Sequence, residues 1–251
     1  MLTLTIASLT ANVLAILGVA IFIKNRGGLS YVMIRMGLRP TRVQAQTTSN
    51  WYKETVAQFE LIPRSSFDIV FVGDSLTEQG RWGEFFQDYP IRNRGIGGDA
   101  TLDVLKRLDD IVKGSPAKIF IMVGLNDLAK LGLPVSTISE NYTRLLLAMK
   151  AASPTSTVFV QSVLPVGDAF RLKAIKKLND ELRNIALENS CEWIDLYSLY
   201  AEEGAELDVK YTWDGLHLTA LAYLKWMDAV RPFVVTPNFR AKPTSPQTFS
   251  S

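Results

Sequence analysis

Apolar residues fall along this chain in three patterns. From Leu2 to Ile23 the run LTLTIASLTANVLAILGVAIFI carries no ionisable side chain. At about 22 residues it has roughly the length an α-helix needs to cross a hydrocarbon core. Farther on, short apolar blocks suited to buried strands occur at 69–72, 119–123 and 158–163, with shorter ones near Ile91 and at 193–196. Between the blocks the spacing is helical. Leu102, Leu105, Leu108 and Ile111 recur at three-residue steps within 101–112, and amphipathic patterns cover 138–149, 170–187 and about 219–230. A shorter helix is predicted over 51–61 from the spacing of Trp51, Val56, Phe59 and Leu61, stopped by Pro63.

Strands alternating with helices of this length predict a parallel sheet covered on both faces, a three-layer α/β/α sandwich with five strands. No internal repeat is visible. The tail from Thr236, TPNFRAKPTSPQTFSS, is rich in Pro, Ser and Thr and is predicted to be disordered over 236–251.

Charge changes the reading of the first apolar run. Lys24, Arg26, Arg35, Arg39 and Arg42 follow it, and no acidic residue appears before Glu54. This predicts an uncleaved transmembrane anchor over 1–23, a basic juxtamembrane stem over 24–50 and an α/β domain over 51–235. By the positive-inside rule a single-pass anchor of this kind leaves the domain on the cytoplasmic side. A cleaved signal peptide is the rival reading. Against it, no basic residue precedes the run, and Gly18-Val19-Ala20 is a weak cleavage site. The formal charge of +2 over 251 residues therefore averages a basic leader with a mildly acidic domain, which argues against nucleic acid as a partner. The apolar leader also accounts for the mean hydropathy of +0.10.

Cys191 is the only cysteine and His217 the only histidine, so neither a disulfide framework nor a Cys/His zinc site is expected. Cys191 sits in an apolar-leaning stretch and reads as a buried structural thiol. Asn141-Tyr142-Thr143 matches a glycosylation acceptor but falls within a predicted helix.

In open α/β sheets, ligands gather at the carboxyl ends of the strands. The residues there are Gly73-Asp74-Ser75-Leu76 after the first strand, Gly95-Ile96-Gly97-Gly98-Asp99 after the second and Gly124-Leu125-Asn126-Asp127 after the third. Asp214-Gly215-Leu216-His217 lies just before the last helix. A serine nucleophile needs a base, and His217 with Asp214 three residues earlier can supply base and orienter from one turn. The oxyanion formed when Ser75 attacks an acyl carbon needs fixed donors, and the candidates are the N–H groups of Ser75 and Gly98 and the side-chain amide of Asn126. Each motif alone is an ordinary turn or cap. Four in order at one sheet edge are not. Asp74 is expected to stabilise the turn around Ser75, and Asp127 to cap a helix or brace a loop. Trp82 is expected in the core, and the loop at 164–170 beside the acyl or leaving-group pocket.

With these residues assembled, the chain resembles the SGNH (GDSL-type) hydrolases. GDSL at 73–76, Gly98, GLND at 124–127 and DGLH at 214–217 are similar to the four blocks of that family, with no departure at a catalytic position. NRGIGGDAT at 93–101, followed by VLKRL at 104–108, is most similar to the platelet-activating-factor acetylhydrolase-like branch. The resemblance covers about 66–232 and implies a flavodoxin-like fold with catalytic Ser75, His217 and Asp214. It also implies an oxyanion hole from Ser75, Gly98 and Asn126, with no metal or organic cofactor. The implied activity is carboxylic ester hydrolysis through an acyl-enzyme, with short acyl or acetyl groups favoured on a small-molecule, carbohydrate or lipid ester. A lipid esterase, lysophospholipase or thioesterase at the membrane is the alternative. A non-catalytic, membrane-tethered binding module is the different-class reading and would call for a missing catalytic residue.

Overall fold

The computed structural model of the chain describes residues 49–201 and 205–235. The anchor predicted at 1–23, nearly all of the stem and the tail at 236–251 lie outside the described residues. Among the described residues, no helix is long and apolar enough to cross a membrane.

The chain begins with α1 (Asn50–Leu61), whose first turn is capped by Ser49 Oγ accepting the Tyr52 N–H. It ends at Ile62, which turns extended before Pro63 as residues preceding proline do. Then come β1 (Ile69–Gly73), α2 (Ser75–Glu78), α3 (Trp82–Phe85), β2 (Ile91–Gly95), α4 (Thr101–Lys106), α5 (Leu108–Val112) and β3 (Lys118–Met122). The second half holds α6 (Leu125–Ala129), α7 (Val135–Ala152), β4 (Thr157–Gln161), α8 (Ala169–Glu188), β5 (Glu192–Ile194) and α9 (Ala220–Val234).

The five strands form one parallel sheet in the order β2-β1-β3-β4-β5. Each predicted strand is present. The two central strands β1 and β3 are buried along their whole length, which is why they read as continuous apolar runs rather than alternating ones. On one face Val70, Val72, Ile119 and Ile121 pack against α4, α5, α7 and α8. On the other, Phe71, Phe120 and Phe159 stand opposite one another in register, their rings stacked at 4.7 and 4.5 Å. Trp82 lies flat on Phe71 at 4.3 Å, and Trp226 of α9 meets Trp82 edge-on at 4.9 Å. The placement of Trp82 in the core follows: its side chain is fully buried.

Two differences from the predicted elements have physical causes. The single helix expected over 101–112 is broken into α4 and α5 at Arg107, whose backbone leaves the helical region as its side chain turns into the interior. The last helix runs on through Pro232, beyond its predicted end. There the buried Lys118 donates to the carbonyls of Phe233 and Val234, satisfying carbonyls at the helix end that have no intrahelical donor.

The register decides where chemistry can occur. Gly73 lies opposite both Gly95 and Met122, so β1, β2 and β3 end on a common line. The loops that follow start side by side. The order 2-1-3-4-5 changes direction between β1 and β3, where open sheets of this topology leave a crevice.

Candidate active site

Asp74, immediately after β1, caps α2 by accepting the Leu76 N–H at 3.0 Å, which places Ser75 at the first position of that helix. Burial pushes the Asp74 carboxyl up to about 6, against the pull of the Leu76 N–H and His217. Ser75 Oγ lies 3.2 Å from His217 Nε2.

His217 and Asp214 come from a loop that supports itself. An antiparallel bridge between Thr212 and Leu218 closes it, and Gly215 takes the left-handed conformation, φ +87°, that its turn requires. Thr212 Oγ1 donates to the His217 carbonyl and accepts the Gly215 N–H. Asp214 Oδ1 accepts the N–H groups of Leu216 and His217, and Oδ2 meets His217 Nδ1 at 2.7 Å. The three-residue spacing lets one carboxylate hold both the backbone and the ring. Partial burial works against ionisation of Asp214, yet the hydrogen bonds from the His217 ring and from the two N–H groups hold it below the usual carboxylate range. An ionised Asp214 keeps the ring proton on Nδ1, leaving the Nε2 lone pair toward Ser75. The indole of Trp213 lies over the imidazole, with centroids 5.3 Å apart and planes 16° from parallel.

The loop after β2 passes beside the serine. A Cβ built on Gly97 would sit 3.5 Å from Ser75 Cβ, and the Gly97 N–H donates to Glu78 Oε2 of α2. Gly98 has φ +82° and so occupies a conformation that L side chains rarely adopt. Among the described residues, neither the Ser75 nor the Gly98 N–H has a protein acceptor. From the first turn of α6, just after β3, Asn126 Nδ2 donates to the Asp99 carbonyl at 2.9 Å and approaches Asp74 Oδ2 at 3.4 Å. The second contact is long, so that amide hydrogen is the one a nearby anion could recruit. Asp127 Oδ2 accepts the Thr101 N–H at the start of α4, an inter-loop brace. All five residues singled out as catalytic or oxyanion-binding thus sit at one sheet edge, Ser75 and Asn126 in the first turns of α2 and α6 and the other three on loops.

Sequence reading missed the residues behind these loops. Arg107 is buried with its guanidinium on Asp99 at 2.8 Å, on Asp110 at 3.3 Å, and on the carbonyls of Arg94 at 2.7 Å and Gly73 at 3.5 Å. Asn93 aims its amide at the carbonyls of Thr77, Glu78 and Gly80, finishing α2, while its Oδ1 accepts the Gly95 N–H. Tyr223 of α9 donates its hydroxyl to the Leu76 carbonyl at 2.8 Å. No signal in the sequence marked Arg107, which falls between the three-residue apolar steps at 105 and 108.

Other singled-out residues take structural places. Cys191 is buried, and burial pushes its thiol up, away from reactive thiolate. Asn141 is buried in α7. The loop at 164–170 buttresses the histidine loop through the Gly167 N–H to the Gly215 carbonyl at 2.7 Å, with Leu164 and Val166 buried and Phe170 80% exposed.

Comparison with known proteins places this geometry. The GDSL-like lipase/acylhydrolase family model matches residues 71–225. The platelet-activating factor acetylhydrolase IB subunit alpha2 of Rattus norvegicus is 27% identical over 169 residues, covering 63% of this chain and 72% of that protein. Among solved structures, a GDSL-like lipase from Bacteroides thetaiotaomicron superposes with a TM-score of 0.64 at 24% identity, covering 73% of this chain and 96% of that one. A variant of an acetyl-xylooligosaccharide esterase from Geobacillus Stearmophilus gives 0.57 at 17%, covering 71% and 99%. At these identities the two structures support the fold alone.

Removing Arg107 strands two buried carboxylates. Arg107→Met should lower stability by about 3–5 kcal/mol in urea denaturation. Arg107→Lys should recover only part of it, since one ammonium cannot span the same partners. A near-neutral Arg107→Met would show that the cluster is dispensable. Asp127 gives a pH prediction. Burial pushes its carboxyl up from 3.8 to about 6, against the Thr101 N–H. Between those values the folded state binds the extra proton, so this contribution is whole below about pH 4 and is lost as pH rises through 6. Asp127→Asn removes the loss. Its stability relative to wild type should therefore rise by on the order of 2–3 kcal/mol from pH 4 to 7. A flat difference would mean that Asp127 does not titrate there.

Proposed function

The chain belongs to the GDSL-like lipase/acylhydrolase family of ester-bond hydrolases, and we propose that it cleaves short acyl esters, acetyl esters above all, with Ser75 as nucleophile. The observation that carries the reading is the continuous contact from Ser75 Oγ through His217 to Asp214 at 3.2 and 2.7 Å, beside two N–H groups that have no protein acceptor among the described residues. Ser75 Oγ attacks the acyl carbon as its proton passes to His217 Nε2. The resulting oxyanion is held by the Ser75 and Gly98 N–H groups and the Asn126 amide. Collapse expels the alcohol, which takes the proton from His217. Water, deprotonated by His217 in turn, attacks the acyl-serine, and the collapse that releases the acid breaks the bond to Ser75 Oγ, which takes the proton back from His217. Asp214 orients the ring throughout and offsets its transient positive charge. Asp74 and Asp127 hold loops and transfer no proton.

One sequence relative carries an acetyl-directed name, platelet-activating factor acetylhydrolase, which supports a small acyl group. A longer acyl chain is the second reading. It is favoured by a groove of about 420 Å³ between α3 and α9, lined by Phe85, Tyr223, Leu224 and Met227 together with Gln79, Arg81 and Glu84. A p-nitrophenyl ester series should give the highest kcat/KM for acetate and a steady fall with chain length. A maximum at eight carbons or more would select the second reading. In that assay Ser75→Ala and His217→Ala should lose about 10⁴-fold or more, and Asn126→Ala roughly 10²–10³-fold. Full activity in Ser75→Ala would remove the serine mechanism, and a folded wild type inert to a fluorophosphonate probe would favour a binding module.

The apolar run at 2–23 and the basic residues after it support a further part of the reading: a single-pass tether with the hydrolase domain on the cytoplasmic side. Protease added to intact cells should leave the domain uncut. Digestion from outside would reverse the orientation.

A further inference from the structure

The relay from Ser75 to Asp214 is open to solvent. The Asp214 side chain is 31% exposed and that of His217 22%. In the buried form of such a relay the carboxylate both orients the imidazole and stabilises the imidazolium. Here water reaches the carboxylate and weakens its field at the ring.

Trp213 lies where it can supply the difference. Its side chain is 68% exposed, so core packing does not explain its position. The bridge between Thr212 and Leu218, with the Trp213 N–H donating to the His217 carbonyl at 3.4 Å, sets Trp213 and His217 across the loop from each other. The rings overlap nearly in parallel at 5.3 Å. An aromatic face favours a cation above it, and stacking restricts rotation of the ring it covers.

We propose that Trp213 is a positioning residue for acyl transfer: its indole holds the His217 imidazole with Nε2 toward Ser75 and stabilises the positive charge that the ring acquires on taking the serine proton. The inference rests on His217 being the base. It requires the aromatic face itself, not merely bulk at this position, and it requires no contact between Trp213 and substrate.

The test uses the full chain in detergent micelles, with p-nitrophenyl acetate as substrate and Trp213→Phe, Trp213→Leu and Trp213→Ala as variants, each checked for wild-type thermal unfolding. The leucine and alanine variants should lose roughly three- to tenfold in kcat with KM unchanged, and the phenylalanine variant should keep most of the rate. The rate of fluorophosphonate labelling of Ser75 should fall in the same order. Wild-type kcat in Trp213→Leu would overturn the role, because bulk alone would then suffice. A raised KM with unchanged kcat would also overturn it, in favour of a substrate platform. If wild type neither turns over the ester nor labels, the assignment of His217 falls and this inference falls with it. An active wild type beside a fully active leucine variant removes Trp213 alone.

Discussion

One buried cation organises the catalytic edge. Arg107 is out of water, so its guanidinium must find protein acceptors, and those it finds belong to separate parts of the chain. Asp99 ends the glycine loop, Asp110 lies within α5, and the carbonyls of Arg94 and Gly73 mark the ends of β2 and β1. Satisfying one side chain therefore fixes the loop that presents Gly98 relative to the strand that delivers Ser75. The helix expected over 101–112 is interrupted to allow it. A buried ion pair of this kind contributes little net stability once desolvation is counted, and its value here is geometric.

The site accordingly has two halves with different support. The half around Ser75, Gly98 and Asn126 rests on buried polar groups: Asp74 under the Leu76 N–H, Asp127 under the Thr101 N–H, and the Asp99 carbonyl under the Asn126 amide. The histidine half is a partly exposed loop whose order comes from its own hydrogen bonds and from Gly167 behind it. In the proposed mechanism, charge development falls on the rigid side, where preorganised donors are most effective. The proton transfer proposed for His217 falls on the open side, within reach of solvent water.

Much of this was legible in the sequence because it depends on local chemistry. β1, β3 and β4 announce themselves as apolar runs because both faces of the sheet are covered. Asp214 and His217 are three residues apart, so one loop can join them whatever the rest of the chain does. The Gly-Asp-Ser, Gly-Gly-Asp and Gly-x-Asn-Asp turns follow strands whose ends coincide. What was not legible depends on distant partners. A lone Arg within a helical pattern is ordinarily solvated, and nothing near Arg107 signals that Asp99 and two strand-end carbonyls await it. Asn93 gave no sign of closing α2, nor Trp213 of covering His217, since both contacts exist only after the chain has folded back. Short turns such as α2 and α6 leave too few residues for a helical period to be recognised.

The contact between Tyr223 and the Leu76 carbonyl bears on how finely the proposed nucleophile and base can be spaced. Ser75 rides on a one-turn helix and His217 on a closed loop, two small rigid parts that meet across a single gap. Tyr223 lies six residues beyond His217 on α9 and touches the residue next to Ser75, so it works as a spacer bar between the two parts. Mechanical error at the reacting pair is thereby confined to rocking about that bar. Tolerance for sequence change should be narrow along the inner face of the last helix and wide across the outer helices on the opposite side of the sheet.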